Sequence, residues 1–313
     1  MFNPLLLTAG GDTVLFGVTL SLSQVLLDLS LAFVMWGLGM TLTVSDFKRI
    51  LNHPKAVLMG LGNQMIALPA LGFLLAFLLA PSPEIQVGII VLTACPGGAT
   101  SNLVSHLLKG NVALSILLTA ANSFLILISV PLLVSLALAV FMSKSEDVQL
   151  DISNTLQEIS LAVLVPVALG MAVKYFFPRF SEKAETPMKW LMPMAMAASF
   201  VYIMFFKESA DDQPRFDLVR QLPILGIAFL LNISAILTGF NVPKLINVGF
   251  RSRLTIGIEV GLQNSLLALT IANNQLENQR IAEMSVVYGS ITFVTTVGTV
   301  FLLQRFAERK QSR

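Results

Sequence analysis

The chain has 313 residues, of which 55% are hydrophobic and 12% charged, with a mean hydropathy of +0.79. Charged residues supply about a quarter of an ordinary soluble domain, so this composition excludes one and makes a lipid bilayer the natural solvent. A net charge of +2 offers nothing to a nucleic-acid partner, and the lone cysteine, Cys95, excludes an intramolecular disulfide or a cysteine-cluster metal site.

Long apolar runs separated by short basic connections predict nine membrane-spanning helices, at about 28–44, 56–80, 87–108, 111–142, 155–174, 188–206, 219–240, 255–275 and 283–304. Each run approaches the roughly 20 residues a helix needs to cross the hydrocarbon. The alternation of about ten residues expected of outer-membrane strands is missing. The predicted class is therefore an all-α polytopic membrane protein. No soluble domain is expected, because the longest polar stretch, Ser143 to Asn154, reads as a loop. The first Lys or Arg is Lys48, so the start of the chain lacks the basic region that opens a secretory signal peptide. Val14 to Val44 is too long for one upright helix and too short for two, and Asp28 interrupts it. One span after Asp28 is expected, preceded either by a helix lying in the outer interface or by the front of a long tilted helix.

An odd number of spans puts the termini on opposite sides. Of the 20 Lys and Arg residues, fifteen then fall in connections on one side, while Lys144, Lys207, Arg215, Arg220 and Arg280 fall on the other. The positive-inside rule orients the N-terminus outside and the C-terminus in the cytoplasm of a bacterial-type inner membrane.

Two spans carry breakers and polar groups at mid-membrane. The third reads Cys95-Pro96-Gly97-Gly98-Ala99-Thr100-Ser101-Asn102-Leu103. Proline removes a donor and the paired glycines loosen the dihedrals, so carbonyls and amides lose their partners where water is scarce. Either neighbouring helices satisfy those groups across a packing kink, or a ligand does. The eighth span contains Glu259-Val260-Gly261-Leu262-Gln263-Asn264-Ser265-Leu266, whose Glu259 is the only acid deep in any predicted span. A charge at the bilayer centre costs at least about 2.5 kcal/mol and marks a functional site by default; the alternative is a protonated glutamic acid hydrogen-bonded to its neighbours.

Aligned without gaps, Pro96 to Leu103 lies over Glu259 to Leu266, sharing the third-place glycine, a polar trio and the final leucine. The two spans run in opposite directions across the membrane, which suggests inverted repeats and hence a transporter. Crossing them would bring together half-helix N-termini near Ala99 to Ser101 and near Leu262 to Asn264, suited to an anion. The freed carbonyls and Glu259 would suit a hard cation such as sodium. His53 and His106 read as interfacial and Cys95 as a small packing residue. Gln64, beside Asn63 in the second span, is either a ligand or an interhelical hydrogen-bonding group.

At these motifs the sequence resembles the bile acid:sodium symporter family, which carries a Cys-Pro-Gly-Gly segment ending in Ser-Asn and a Glu-Val-Gly-x-Gln-Asn-Ser segment. The likeness extends to Ser45-Asp46-Phe47 with His53-Pro54-Lys55 and to Gly110-Asn111-Val112-Ala113-Leu114-Ser115, and runs from about residue 28 to the end. It implies one transmembrane transporter domain spanning 1–313, with core helices at about 56–142 and 219–304 and panel helices at about 28–44 and 155–206. It also implies two bound Na+ ions. The first would take Ser101, Asn102, Ser115, Thr119 and Glu259; the second would take Gln64, Glu259, Val260, Leu262 and Gln263, with Val260 and Leu262 offering only carbonyls. Ala99, Thr100, Asn264 and Ser265 are expected at the organic substrate, with helix capping the alternative role for Thr100 and Asn264.

The expected activity is sodium-coupled import of an organic anion by alternating access, whether bile acid-like, pantoate-like or a 2-keto acid. Expected partners are that anion, sodium and the bilayer, with no nucleic acid and no obligate protein partner. A sodium-independent anion channel or exporter is the alternative. An intramembrane enzyme of prenyl chemistry, using Asp147/Asp151 and Asp211/Asp212 as a metal pair, is a weaker one, because those acids fall in outer loops and no nucleophile with its base is predicted at depth.

Overall fold

The computed structural model describes residues 6–7, 12–15, 18–49, 54–142, 152–206 and 218–311. Three short strands, β1 (Leu6–Leu7), β2 (Asp12–Leu15) and β3 (Val18–Ser21), form an antiparallel meander in which Thr13 faces Leu20 and Val14 faces Thr19. This corrects the expectation of a helix from Val14 up to Asp28 where it meets β2 and β3: Val14, Val18 and Thr19 are β-branched and favour a pleated backbone. Among the described residues the all-α expectation holds from Leu22 onward. Helix α1 (Leu22–Thr41) takes in Asp28, whose Oδ1 accepts a hydrogen bond from Asn274 Nδ2 at 3.3 Å.

The chain continues as α2 (Val44–Arg49), α3 (Pro54–Gly62), α4 (Leu68–Leu79), α5 (Pro83–Ala94), α6 (Ala99–Leu107) and α7 (Val112–Phe141). It then forms α8 (Ile152–Ile159), α9 (Val165–Phe176), α10 (Pro178–Phe206), α11 (Leu218–Asn241), α12 (Phe250–Gly261), α13 (Ser265–Thr270) and α14 (Gln279–Gln311). Wide π-helical turns join α3 to α4 over Asn63–Ala67 and α8 to α9 over Ser160–Leu164. Each is followed directly by a proline in the next first turn, Pro69 and Pro166. A proline ring clashes with the carbonyl four residues back and cannot donate to it; widening the turn relieves both problems without ending the helix.

Among the described residues, seven helical runs are long and apolar enough to cross a membrane: 24–41, 54–79, 112–141, 156–176, 221–246, 250–275 and 279–307. The other two predicted spans coincide with the pair α5 and α6 and with the later part of α10. Helix α10 starts at Pro178, well before the predicted 188, and its charged opening turns hold a Lys189–Glu185 ion pair at 2.8 Å.

Most of the long runs present apolar side chains outward, among them Phe77, Ile128, Leu132, Leu169 and Val294, as a lipid-facing surface requires. The run 250–275 is different, being buried from Leu254 to Ala272, and Val87 to Cys95 are also enclosed. Irregular backbone at membrane depth is tolerated only inside protein, and these enclosed segments are the two that carry the breaks.

Helix α1 packs against α9 and α10, α11 against α12 and α14, and α5 against α4, α7 and α14. The α1–α9 contact is a glycine-to-backbone approach: a Cβ on Gly39 would lie 2.2 Å from Val167 O, and one on Gly170 would lie 2.2 Å from Trp36 O. Without a hydrophobic drive between helices in lipid, such close backbone packing supplies the association. At the end of α1 the orphan carbonyls of Met40 and Thr41 accept from Ser181 Oγ and Lys174 Nζ, both at 2.9 Å, and the ammonium also suits the negative end of the helix dipole.

Candidate functional site

Both predicted breaks are present. Helix α5 ends at Ala94, Cys95 is extended (φ −100°, ψ 91°), and the chain passes Pro96, Gly97 and Gly98 before α6 begins. Helix α12 ends at Gly261, with Leu262 (φ −97°, ψ 93°) and Asn264 (φ −79°, ψ 76°) non-helical before α13. The two breaks touch through their backbones, for Asn264 N donates to Cys95 O at 3.0 Å. A Cβ on Gly97 would sit 2.2 Å from Leu262 O and 3.0 Å from Glu259 O, so only glycine allows this approach.

One detail departs from the sequence reading. The second half-helix begins at Ser265 rather than between Leu262 and Asn264, because Asn264 is its N-cap, with Oδ1 accepting from Leu267 N at 3.1 Å. Matching the starts of α6 and α13 shifts the gapless alignment of the two motifs by three residues, so their polar trios do not superpose.

Glu259, 1% exposed, lies where the breaks meet α7. Thr119 Oγ1 donates to Glu259 Oε1 at 2.7 Å and Ser115 Oγ to Oε2 at 3.2 Å. These donors are four residues apart and so share one face of α7. Ser101, fully buried at the start of α6, lies beside them, and its hydroxyl donates to Gly98 O at 2.7 Å. Asn102 Oδ1 is 3.5 Å from Thr119 Oγ1, and Asn102 Nδ2 is buried without a partner. The five residues nominated for one cation thus converge. Among the described residues the carboxylate has hydroxyl donors but no basic side chain in salt-bridge contact.

The second nominated set also gathers. Gln64 lies in the wide turn of the 54–79 run, 1% exposed, and donates from Nε2 to Gln263 Oε1 at 3.0 Å and to Thr93 O at 3.4 Å. Gln263 Nε2 donates to Val260 O at 2.5 Å. Such π turns occur often at functional sites, and here the turn carries the amide toward the α12 break.

Beside the breaks lies a cavity of about 410 Å³. Thr100, Gln263, Asn264 and Ser290 give it polar atoms, and Val34, Trp190, Met194, Phe200 and Phe293 form much of the remaining wall. Of the residues nominated for substrate, Thr100 and Asn264 line it. Ser265 is fully buried outside the lining, with an unpartnered Oγ. The backbone of Ala99 begins α6, while its side chain lies outside the described residues, as do His53, Asp147, Asp151, Asp211 and Asp212. His106 is exposed in the last turn of α6, and Cys95 is buried at the break.

The model of the sodium bile acid symporter family matches residues 28–210. The chain belongs to that family. Relatives include the uncharacterized sodium-dependent transporter YocS of Bacillus subtilis (strain 168), 34% identical over 77% of this chain and 72% of the relative. "Probable sodium/metabolite cotransporter BASS2, chloroplastic" of Oryza sativa subsp. japonica is 30% identical over 84% of this chain and 60% of its own length. The sodium/bile acid cotransporter 4 of Homo sapiens is 26% identical over 83% of this chain and 58% of its own. The chain therefore spans about 60% of the length of several of the relatives it matches.

The symporter motifs led to the α5–α6 and α12–α13 breaks and to Gln64, Ser115 and Thr119, but not to the panel of aromatic and methionine residues around the cavity. They also passed over Asn232 of α11 and the stripe Tyr288, Thr292, Thr295 and Thr296 of α14; Asn232, Tyr288 and Thr292 converge on the α12 break, and Thr295 and Thr296 hold Asn232. Their spacing along an otherwise apolar helix, one face repeating every three or four residues, was the available signal.

Proposed function

We propose that the protein is a sodium-coupled symporter that imports an organic anion by alternating access. The observation that carries this reading is Glu259, a buried carboxylate held by the Ser115 and Thr119 hydroxyls with no basic partner in contact among the described residues. Burying an unpaired charge costs several kcal/mol, and a cation bound beside it offsets that cost. The surrounding donor set of hydroxyls, amide oxygens and freed carbonyls is hard, which suits sodium over softer metals.

In this reading two sodium ions are co-substrates. Ser101, Asn102, Ser115, Thr119 and Glu259 hold the first, and Gln64, Glu259, Gln263 and the carbonyls of Val260 and Leu262 hold the second. The direct Gln64–Gln263 hydrogen bond is exchanged for ion contacts when sodium enters. Nine spans, counting the α5–α6 pair and α10, cross the membrane as two inverted repeats. The core comprises about 56–142 and 219–304, and the panel about 28–44 and 155–206.

The organic anion occupies the cavity between them. Its carboxylate lies toward Thr100, Asn264 and the amides that open α6, where a helix N-terminus favours negative charge; its body rests on Trp190, Met194, Phe200 and Phe293. This wall favours an anion with a sizeable apolar body over a short 2-keto acid. Uptake of a radiolabelled steroid carboxylate into proteoliposomes tests the reading. An inward sodium gradient is expected to drive accumulation that a potassium or choline gradient does not. Equal uptake with all three cations would refute sodium coupling.

The basic residues support an outside N-terminus and a cytoplasmic C-terminus. A tag at residue 1 is therefore expected to react with an impermeant reagent from the periplasm, and a tag after Arg313 only after permeabilisation. Both tags on one side would refute the nine-span arrangement.

A further inference from the structure

Where α12 breaks, its last carbonyls lose the amides that would continue the helix. Asn264 N, the helical partner of Val260 O, bonds Cys95 O instead, and Ser265 N, the partner of Gly261 O, bonds Gln263 O. The freed Gly261 carbonyl is then gripped from two neighbouring helices: Tyr288 Oη donates to it at 2.5 Å, Asn232 Nδ2 at 2.8 Å and Thr292 Oγ1 at 3.3 Å. Asn232 is itself fixed, because Nδ2 also reaches Thr296 Oγ1 at 3.0 Å and Oδ1 accepts from Thr295 Oγ1 at 2.8 Å. Asn232 and Tyr288 are fully buried, and a Cβ on Gly261 would lie 2.4 Å from Ile236 Cγ1, so the break is pressed directly onto α11.

Three donors on one carbonyl exceed what capping a helix end requires. Gly261 stands between Val260 and Leu262, the two residues whose carbonyls the proposed function gives to the second cation. Holding one peptide of an unwound segment restricts the planes of the peptides on either side. The network is connected at every member, and buried networks of that kind rigidify their surroundings.

We infer that Asn232, Tyr288 and Thr292 form a positioning clamp on the Gly261 carbonyl, holding the unwound segment so that the Val260 and Leu262 carbonyls are preset for the second sodium ion. None of the three is a ligand. This inference rests on the sodium-symport reading and adds to it the residues that set the affinity of one of the two sites.

The test is equilibrium binding of radiolabelled sodium alone to the purified full-length protein in detergent, with choline as the replacing cation. Wild-type protein is expected to bind sodium, and Glu259→Ala to lose it. Tyr288→Phe, which keeps the ring and removes only the hydroxyl, is expected to weaken one class of site about three- to tenfold, the range for a lost hydrogen bond, while the maximum bound stays the same. Asn232→Ala should do the same or more. Thr292→Ser, which keeps the donor, should stay within about twofold of wild type.

Isotherms of Tyr288→Phe and Asn232→Ala that match wild type would overturn the clamp and leave the symport reading intact. A reduced maximum with unchanged half-saturation would also overturn it, because that pattern marks lost folded protein rather than a misplaced ligand. Wild-type protein that binds no sodium would overturn the symport reading and the clamp together.

Discussion

Replacing Glu259 with alanine is expected to abolish sodium-dependent uptake while the protein remains inserted and monodisperse. Glu259 is the one carboxylate that both proposed cation sites share, and it is 1% exposed. Two unit charges about 4 Å apart interact by about 4 kcal/mol at an effective dielectric of 20, which is about a thousandfold in the affinity of each ion. Substitution by glutamine should restore little, because it keeps an oxygen and loses the charge. The fold should survive, since the change removes the desolvation cost of the carboxylate and orphans only the Ser115 and Thr119 hydroxyls, at about 1–3 kcal/mol each. Uptake in proteoliposomes against external sodium, with chromatographic homogeneity as the control, checks both halves. A folded alanine variant with wild-type sodium half-saturation would show that the charge is not the cation's partner.

What the sequence could reveal about this site depended on how locally each feature was encoded. Cys95-Pro96-Gly97-Gly98 breaks a helix by its own chemistry, and α5 does stop at Ala94. Glu259 is conspicuous because nothing else acidic lies at that depth, and Ser115 and Thr119 share a helical face whatever surrounds them. The start of α13 was placed slightly early, with capping only an alternative role for Asn264, because Gln263, Asn264 and Ser265 are all polar neighbours in sequence. Only the hydrogen bond from Leu267 N to Asn264 Oδ1 shows which of the three is the cap. Residues 14–15 and 18–21 were misread because they are largely apolar as well as β-branched, and an apolar run alone does not separate a strand from a helix. The cavity wall draws Val34, Trp190, Phe200 and Phe293 from three separate helices, a tertiary coincidence that no local pattern records. The same holds for Asn232 and Tyr288, each an unremarkable polar residue in its own helix until both are seen at one carbonyl.

Uptake is expected to be electrogenic and restricted to anions. Two sodium ions bring two positive charges to the site and Glu259 supplies one negative charge, so a doubly loaded site carries one net positive charge until a substrate carboxylate neutralises it. Sodium thereby favours the anion, and by linkage the anion raises sodium affinity by the same factor; coupling of about 1–3 kcal/mol corresponds to roughly 5- to 150-fold. Thr100 and Asn264, which line the cavity, are the side chains placed to orient the carboxylate, so alanine at either should weaken substrate more than sodium. One carboxylate entering with two sodium ions carries one net positive charge inward. A negative-inside potential of 100 mV contributes about 2.3 kcal/mol to that movement, enough for about a fifty-fold difference in the accumulation a fixed sodium gradient sustains. Flux into proteoliposomes should therefore rise when a potassium diffusion potential is imposed with valinomycin, negative inside. An uncharged amide of the same steroid carboxylate should fail to compete, because it presents the same body to Trp190 and Phe293 but no charge to the loaded site. Voltage-independent uptake, or equal competition by the amide, would overturn this charge scheme while leaving membership of the family untouched.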